Sequence, residues 1–291
     1  MSAPWLTLGD LRVWLINDGL RWVDAGGAFG LVPRALWAPY QPVKGDNLVP
    51  MHNHVLYVEA DGRRILVDTG LGKVVDPKIA RVGHLERANG SLFDALARIG
   101  VSPEQIDLVV DTHLHSDHCG GNMLFDPDGT PRPAFPNAQY VVQRREYEDA
   151  MRPNERTAAT YLAVNYQPLM ESGQLRLLDG QTALAAGVTA HVTPGHTPAH
   201  MSIELAGDGQ HALFACDMAS YAVHFERLGW MTAYDVEPLI TLETKRHWQR
   251  WAIETGAVVI FPHDSVRPAG VLTLEAGKAK PTLQPVPVTF A

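Results

Sequence analysis

The chain has 291 residues, 46% of them hydrophobic, enough to bury a substantial core; its formal charge of −8, with Lys and Arg scattered, argues against a protein that grips nucleic acid. Two cysteines without a CxxC pair argue against a secreted disulfide framework. With no basic N-terminal segment leading into an apolar core and no apolar run of bilayer length, a soluble cytoplasmic protein is expected.

Residues 5–18 hold two apolar, partly alternating runs around Gly9-Asp10, which predicts a hairpin at a sheet edge. Residues 19–53 are rich in Gly, Pro and aromatics, among them Trp22, Gly26, Gly27, Phe29, Trp37 and Tyr40, without a steady period. Such a stretch is expected to be a lid, a pocket wall or a dimerisation surface, or else a packed surface loop. Strand signals return at 55–58 and 65–67 about Asp61-Gly62. They end at Asp68, a carboxylate that either orients a metal-ligating histidine or caps the next loop. Residues 91–99 have helical spacing, with Ser91 as N-cap and Gly100 as the stop.

The apolar run 106–110 reads as a buried strand. It delivers Asp111-Thr-His113-Leu-His115-Ser-Asp117-His118-Cys119-Gly-Gly121, in which four good ligands for divalent metals, His113, His115, Asp117 and His118, fall within six positions. Gly120 and Gly121 would let this backbone pass close to its neighbours. A strand at 139–142, a polar helix from 144 to about 161 and strands at 175–178 and 188–192 are expected next. The last of these ends in Thr193-Pro-Gly-His196-Thr-Pro-Ala-His200. Strands at 201–205 and 212–215 lead to Cys216-Asp217. An amphipathic helix is predicted over 237–255, stopped by Gly256, and a strand at 258–261 ends in Pro262-His263-Asp264. Strands ending near 112, 193, 215 and 261 thus each deliver a His or Asp at the C-terminal end, which is how one site is assembled from distant parts of a sheet.

A dinuclear site needs about three protein ligands per ion, a bridging group and an open position for water. His113, His115 and His196 would hold the first ion, Asp117, His118 and His263 the second, and Asp217 would bridge them. Two divalent ions, Zn2+ first and Fe, Mn or Co otherwise, would hold a shared water as a bridging hydroxide. A lone histidine after a strand is more often a core or loop residue than a ligand; the cluster at 113–118 is what shifts the balance to metal. Cys119 and Cys216 read as small buried groups and His200 as a donor within its turn. His52, His54, His84, His191, His211 and His247 have no motif around them and read as structural or exposed.

HxHxDH followed by GG, a PGH turn, a strand-end Asp and a late His, in this order, resembles the metallo-β-lactamase superfamily over about residues 55–264. The resemblance implies a four-layer αββα sandwich of two mixed β-sheets, read here as a single domain over 1–291, with the site at one edge. Its dinuclear pattern coincides with the ligand assignment above. Asp24-Ala-Gly-Gly-Ala-Phe-Gly30 with Val32-Pro33 and Leu36-Trp37, Phe135-Pro-Asn-Ala-Gln-Tyr-Val-Val-Gln143, and Trp230-Met-Thr-Ala-Tyr-Asp235 with Pro238-Leu239 resemble the quorum-quenching lactonase-like branch, including the YtnP-like proteins.

That resemblance implies opening of lactones of the acyl-homoserine-lactone type. Hydroxide would attack the carbonyl carbon, one ion polarising the carbonyl oxygen and the other stabilising the leaving alkoxide, with Asp117 as a carrier of the proton. Lactonases of this superfamily often use a Tyr shortly after the bridging Asp to hydrogen-bond the carbonyl. Tyr221 lies four positions after Asp217, and His224 is its rival for that role. Other readings on the same scaffold are a glyoxalase-II-type thioesterase, an arylesterase and a phosphotriesterase. A mononuclear-iron oxidoreductase, as in persulfide dioxygenases, and a non-catalytic metal-binding protein complete the alternatives. The expected partner is a small lactone or ester, with neither nucleic acid nor membrane, and a homodimer is the assembly that residues 19–53 would support.

Overall fold

The structure is a computed structural model that describes residues 3–72, 84–278 and 280–291. The expected first hairpin forms as β1 (Leu6–Leu8) and β2 (Leu11–Asp24), turning at Gly9-Asp10. Two short helices follow, α1 (Ala25–Phe29) and α2 (Arg34–Trp37), before β3 (Leu48–Ala60) and β4 (Arg63–Val67) make a second hairpin about Asp61-Gly62. Helix α3 (Leu92–Arg98) opens with Ser91 and Asp94 in a capping box, which satisfies free N–H groups of its first turn. It leads to β5 (Leu108–Val110) and then to α4 (Ser116–Cys119). A two-stranded ribbon, β6 (Met123–Phe125) with β7 (Pro131–Pro133), precedes β8 (Gln139–Gln143), α5 (Arg144–Ala150), α6 (Gln167–Glu171) and β9 (Leu175–Leu178).

The second half supplies β10 (Thr182–Ala185), β11 (Val188–Val192), β12 (Met201–Gly207), β13 (Gln210–Phe214) and α7 (Ala222–Glu226). The long helix α8 (Pro238–Thr255), β14 (Val258–Ile260), β15 (Ala269–Thr273) and β16 (Thr282–Pro285) close it. Among the described residues the strands form two seven-stranded sheets, in the orders β1-β2-β3-β4-β5-β8-β9 and β10 through β16. Both are mixed: β4, β5, β8 and β9 run parallel in the first, and β13 and β14 in the second.

The two-residue period of the strands separates the layers. Val13, Leu15, Leu56, Val58, Ile65 and Val67 share one buried cluster with Ile203, Leu205, Phe214 and Ile260 of the other sheet. Their alternates Trp14, Ile16, Val55, Tyr57 and Leu66 pack instead with Leu92 and Leu96 of α3 and Leu169 of α6. On the far side Leu213, Val259 and Leu272 pack against Trp248 and Ala252 of α8. The result is the expected αββα sandwich.

Two local expectations are corrected. The irregular stretch is confined to 25–47, because β2 extends to Asp24 and β3 begins at Leu48. A register shift between Asn17 and Leu20 breaks the alternation of β2, and Pro50 interrupts the sequence signal of β3. Pro50 is tolerated because β4 pairs only with residues 56–60, and ahead of them the 262–263 segment takes hydrogen bonds from the N–H groups of His52 and His54, so no ladder bond is asked of Pro50 on that side. The polar helix expected to run to 161 stops at Ala150. Pro153 follows, and the Asn154 side chain accepts from the N–H groups of Arg156 and Thr157, so a side-chain-capped turn replaces further helix.

Candidate metal centre

Four strand ends meet at one edge of the sandwich. His113 and His115 follow β5, and Asp117 and His118 lie on α4; His196 sits in the turn between β11 and β12, Asp217 follows β13, and His263 follows β14. Gly121 permits the tight return after α4: a Cβ there would stand 2.3 Å from the carbonyl oxygen of Thr69.

The structure brings all seven of these side chains together. His113, His115 and His196 form one group whose ligand atoms all lie within 4.8 Å of one another, and Asp117, His118 and His263 form another. In the first, His115 Nδ1 is 3.1 Å from both His113 Nε2 and His196 Nε2. Asp217 stands between the groups. Its Oδ2 is 3.2 Å from His196 Nε2 and 3.5 Å from His118 Nε2, while its Oδ1 is 3.1 Å from His263 Nε2.

The rings are held from behind. His118 Nδ1 donates to Asp68 Oδ2 at 2.9 Å, His196 Nδ1 to Asp235 Oδ1 at 2.9 Å, and His263 Nδ1 to the carbonyl of His52 at 2.6 Å. A neutral imidazole that donates from Nδ1 presents a lone pair at Nε2, so all three rings aim acceptors into the same space. The Nε2 atoms of His118 and His263 are buried there without a hydrogen-bond partner. Buried acceptors converging without donors are what a metal ion would satisfy, so this residue set fits one.

Electrostatics agree with that fit. Burial alone would push the Asp217 carboxyl up, but the imidazoles of His263, His196 and His118 hold it well below the usual carboxylate range. Asp117 is likewise held low against burial, by Arg21 first and then by His118 and His263. Burial and neighbouring rings push His113 well down, and burial and His196 push His115 down to about 3, so both are neutral and free to ligate at pH 7. His118 goes the other way: burial would lower it, yet Cys216, Asp217, Asp117 and Asp68 raise it well above its ordinary value. The position welcomes positive charge.

A family model described as the metallo-beta-lactamase superfamily matches residues 48–263. The chain belongs to that superfamily. It is similar to an N-acyl homoserine lactonase of a Bacillus species, 28% identical over 174 residues, which cover 60% of this chain and 62% of that protein. The aligned part thus spans about three fifths of that relative's length. Its fold is similar to that of a probable metal-dependent hydrolase from Staphylococcus aureus, with a TM-score of 0.85 and 26% identity over 97% of this chain and all of the other. It is also similar in fold to AidC, a dizinc quorum-quenching lactonase solved with its product, with a TM-score of 0.79 and 19% identity over 98% and 97% of the two chains.

In this metallo-β-lactamase superfamily member Asp68 turns out to orient a histidine, and it also accepts from Thr112. His200 donates within its turn to Thr193 and accepts from the N–H of Asp217. His54 donates to the carbonyl of Phe261, His191 and His211 flank Glu204, and His84 and His247 are exposed. Both cysteines are buried and unbridged. Tyr221 is only 1% exposed; its ring stacks on Phe29 and its hydroxyl donates to the carbonyl of Pro50. His224 is buried against Phe29 and Tyr221 with no partner at Nε2. Neither belongs to the residues lining the cavity over the cluster, about 240 Å³ in volume.

That cavity is lined by Arg21, Met51, Asp117, His196, Asp217 and Tyr234, among others. Arg21 pairs with Asp117 at 2.6 Å. Sequence reasoning missed Arg21, Tyr234, Asp235 and the buried carboxylate Glu146. Glu146 accepts from the N–H of Leu114 and from the hydroxyls of Tyr161 and Thr197, and so joins two of the histidine loops. A signal existed for Tyr234 and Asp235, which close the Trp230–Asp235 motif; Arg21 and Glu146 stand outside any metal-like pattern.

Among the described residues no helix is long and apolar enough to cross a membrane.

Proposed function

We propose that this chain is a single-domain, dinuclear metal-dependent hydrolase that opens lactone rings of the N-acyl homoserine type. The observation that carries the reading is Asp217, seated between two groups of three candidate ligands with the partnerless Nε2 atoms of His118 and His263 beside it. His113, His115 and His196 would hold one ion and Asp117, His118 and His263 the other, with Asp217 as the carboxylate shared between them. Two divalent ions, Zn2+ by choice of nitrogen and carboxylate donors, supply an acidified water and Lewis acidity toward the carbonyl and leaving oxygens of a lactone.

The chain's own groups prepare that chemistry. Asp68, Asp235 and the His52 carbonyl set the tautomers of His118, His196 and His263, so that in the neutral rings the Nε2 lone pairs face inward. Arg21 keeps Asp117 ionised, and we therefore assign Asp117 as a ligand rather than as the carrier of the proton. Val23, Met51 and Ala159 line the cavity with apolar surface suited to an acyl chain. The lactonase named among the sequence relatives supports the choice of lactone over thioester or phosphotriester.

The test is metal analysis of the purified protein together with a pH-indicator screen against lactones of graded chain length, beside thioester, β-lactam and phosphotriester controls. Two ions per chain and turnover of lactones are expected. One iron per chain, or activity confined to a control class, would overturn the reading.

A further inference from the structure

The cavity over the histidines has a neighbour. A second cavity of about 90 Å³ is lined by Arg156, Thr157, Ala233 and Val236, and His115, Thr160 and Tyr234 line both. Of these three shared residues, two are fixed by other duties. His115 is buried among the candidate ligands, and Thr160 holds its loop by donating from Oγ1 to the carbonyl of Thr157 while its own carbonyl accepts from Ser116. Tyr234 is 42% exposed, and its hydroxyl makes no hydrogen bond to any described residue. Tyr234 is thus the shared residue without such a duty, and it borders both spaces.

What seats the ring is helix α1. A Cβ added at Gly27 would lie 2.1 Å from the Tyr234 hydroxyl oxygen, and the N–H of Ala233 donates to the Gly27 carbonyl at 2.9 Å. The Gly-rich stretch at 24–30 and the Trp230–Asp235 motif, far apart in sequence, therefore meet at this ring. Behind it, Asp235 carries His196. The catalytic cavity is small beside the roughly 300–1,000 Å³ usual for small-molecule sites. The second cavity has room for roughly three groups of about 30 Å³, the size of a water or methylene.

We propose that Tyr234 is a specificity-determining partition, whose ring closes the catalytic cavity off from the second cavity and so limits the length of acyl chain that the site admits. The inference rests on the proposed lactonase reading for the identity of the substrate, and on the cavity geometry alone for the limit on length. With the ring in place short chains are preferred. With it removed, the two cavities merge and a chain longer by about two or three carbons finds apolar room beside Val236 and Ala233.

The experiment uses the metal-loaded full chain in two parallel assays. One measures kcat/KM for N-acyl homoserine lactones from butanoyl to dodecanoyl. The other measures calorimetric binding of straight-chain carboxylates of the same lengths, which needs no turnover. Tyr234→Ala is expected to move the optimum to chains about two or three carbons longer and to improve the longer ligands about tenfold in both assays. Tyr234→Phe keeps the ring and is expected to keep the wild-type length profile. Tyr234→Ala combined with Val236→Phe refills the second cavity and is expected to move the optimum back. An unchanged optimum in Tyr234→Ala, or a Tyr234→Phe shift equal to it, would overturn the partition. A shift confined to the carboxylates, with no lactone turned over by any form, would uphold the partition and remove the lactonase reading.

Discussion

Around the histidines, ring after ring is held from behind by a group on a strand or its first turn: Asp68 behind His118, the His52 carbonyl behind His263, and the N–H of Asp217 fixed by His200. The opposite wall of the cavity is made differently. Arg21, Val23 and Met51 come from the ends of β2 and β3, and Tyr234 comes from a loop and lies against Gly27. The difference separates two tasks. Metal chemistry needs ligand atoms fixed to a fraction of an ångström, which buried hydrogen bonds supply. Selection among substrates needs only volume and polarity, which exchangeable side chains supply. Asp235 is the seam, since it carries His196 and is the immediate neighbour of Tyr234.

The largest effect is expected where the frame itself is cut. Asp217→Asn should leave fewer than two ions per chain and lower lactone kcat/KM by about a thousandfold. Wild-type metal content in that variant would show that the two groups do not share Asp217.

The wall has one deep anchor, and its effect appears in stability rather than turnover. Lys245 of α8 is fully buried, and its ammonium donates to the carbonyls of His224 and Trp230, which ties down the loop that carries Tyr234. Burial lowers its pKa from 10.5 to about 8. Between those two values the unfolded chain binds a proton that the folded chain does not. Stability therefore rises as pH climbs through that window, by on the order of 3 kcal/mol from this group. Urea melts of wild type and Lys245→Met across pH 7 to 11 should differ in that slope, with the variant flatter.

A cut at the seam should be milder than a cut in the frame. Asp235→Asn is expected to weaken metal binding by about 10–100-fold, read by competition with a chelator. If the loop only shaped the pocket, metal affinity would stay put and the length profile alone would move. The smallest effect belongs to the apolar wall. Met51→Ala should raise KM by roughly three- to tenfold, with a smaller change in kcat, because it removes apolar contact common to substrate and transition state.

The legible and the illegible parts of the molecule follow the same division. Strand ends and tight turns carry local signatures, so the positions of His113, His115, Asp117, His118, His196, Asp217 and His263 at strand termini could be anticipated from periodicity and turn residues. Of the partners behind them, only Asp68, at the end of its own strand, could be. Asp235 lies 39 residues from His196, and Arg21 lies 96 from Asp117. A carboxylate or guanidinium that pairs across such a distance carries no mark of its partner in its own neighbourhood, even where, as at Asp235, it closes a motif. Residues 144–161 show the opposite failure, a helical composition ended early by a turn whose hydrogen bonds come from Asn154. Tyr221 illustrates the limit of counting along a chain. It sits close after Asp217, yet the start of α7 turns its ring onto Phe29, while Tyr234, farther on, reaches the cavity.

By itself, then, the sequence determined the strands and the His and Asp residues at their ends, because apolar period and residue type are local properties of the chain, and the αββα architecture followed from its resemblance to the superfamily. Only the tertiary structure decided which carboxylate stands behind which histidine, which tyrosine faces the cavity and how far the cavity extends. Those depend on where two sheets and their loops pack against each other, and that packing is a property of the whole fold.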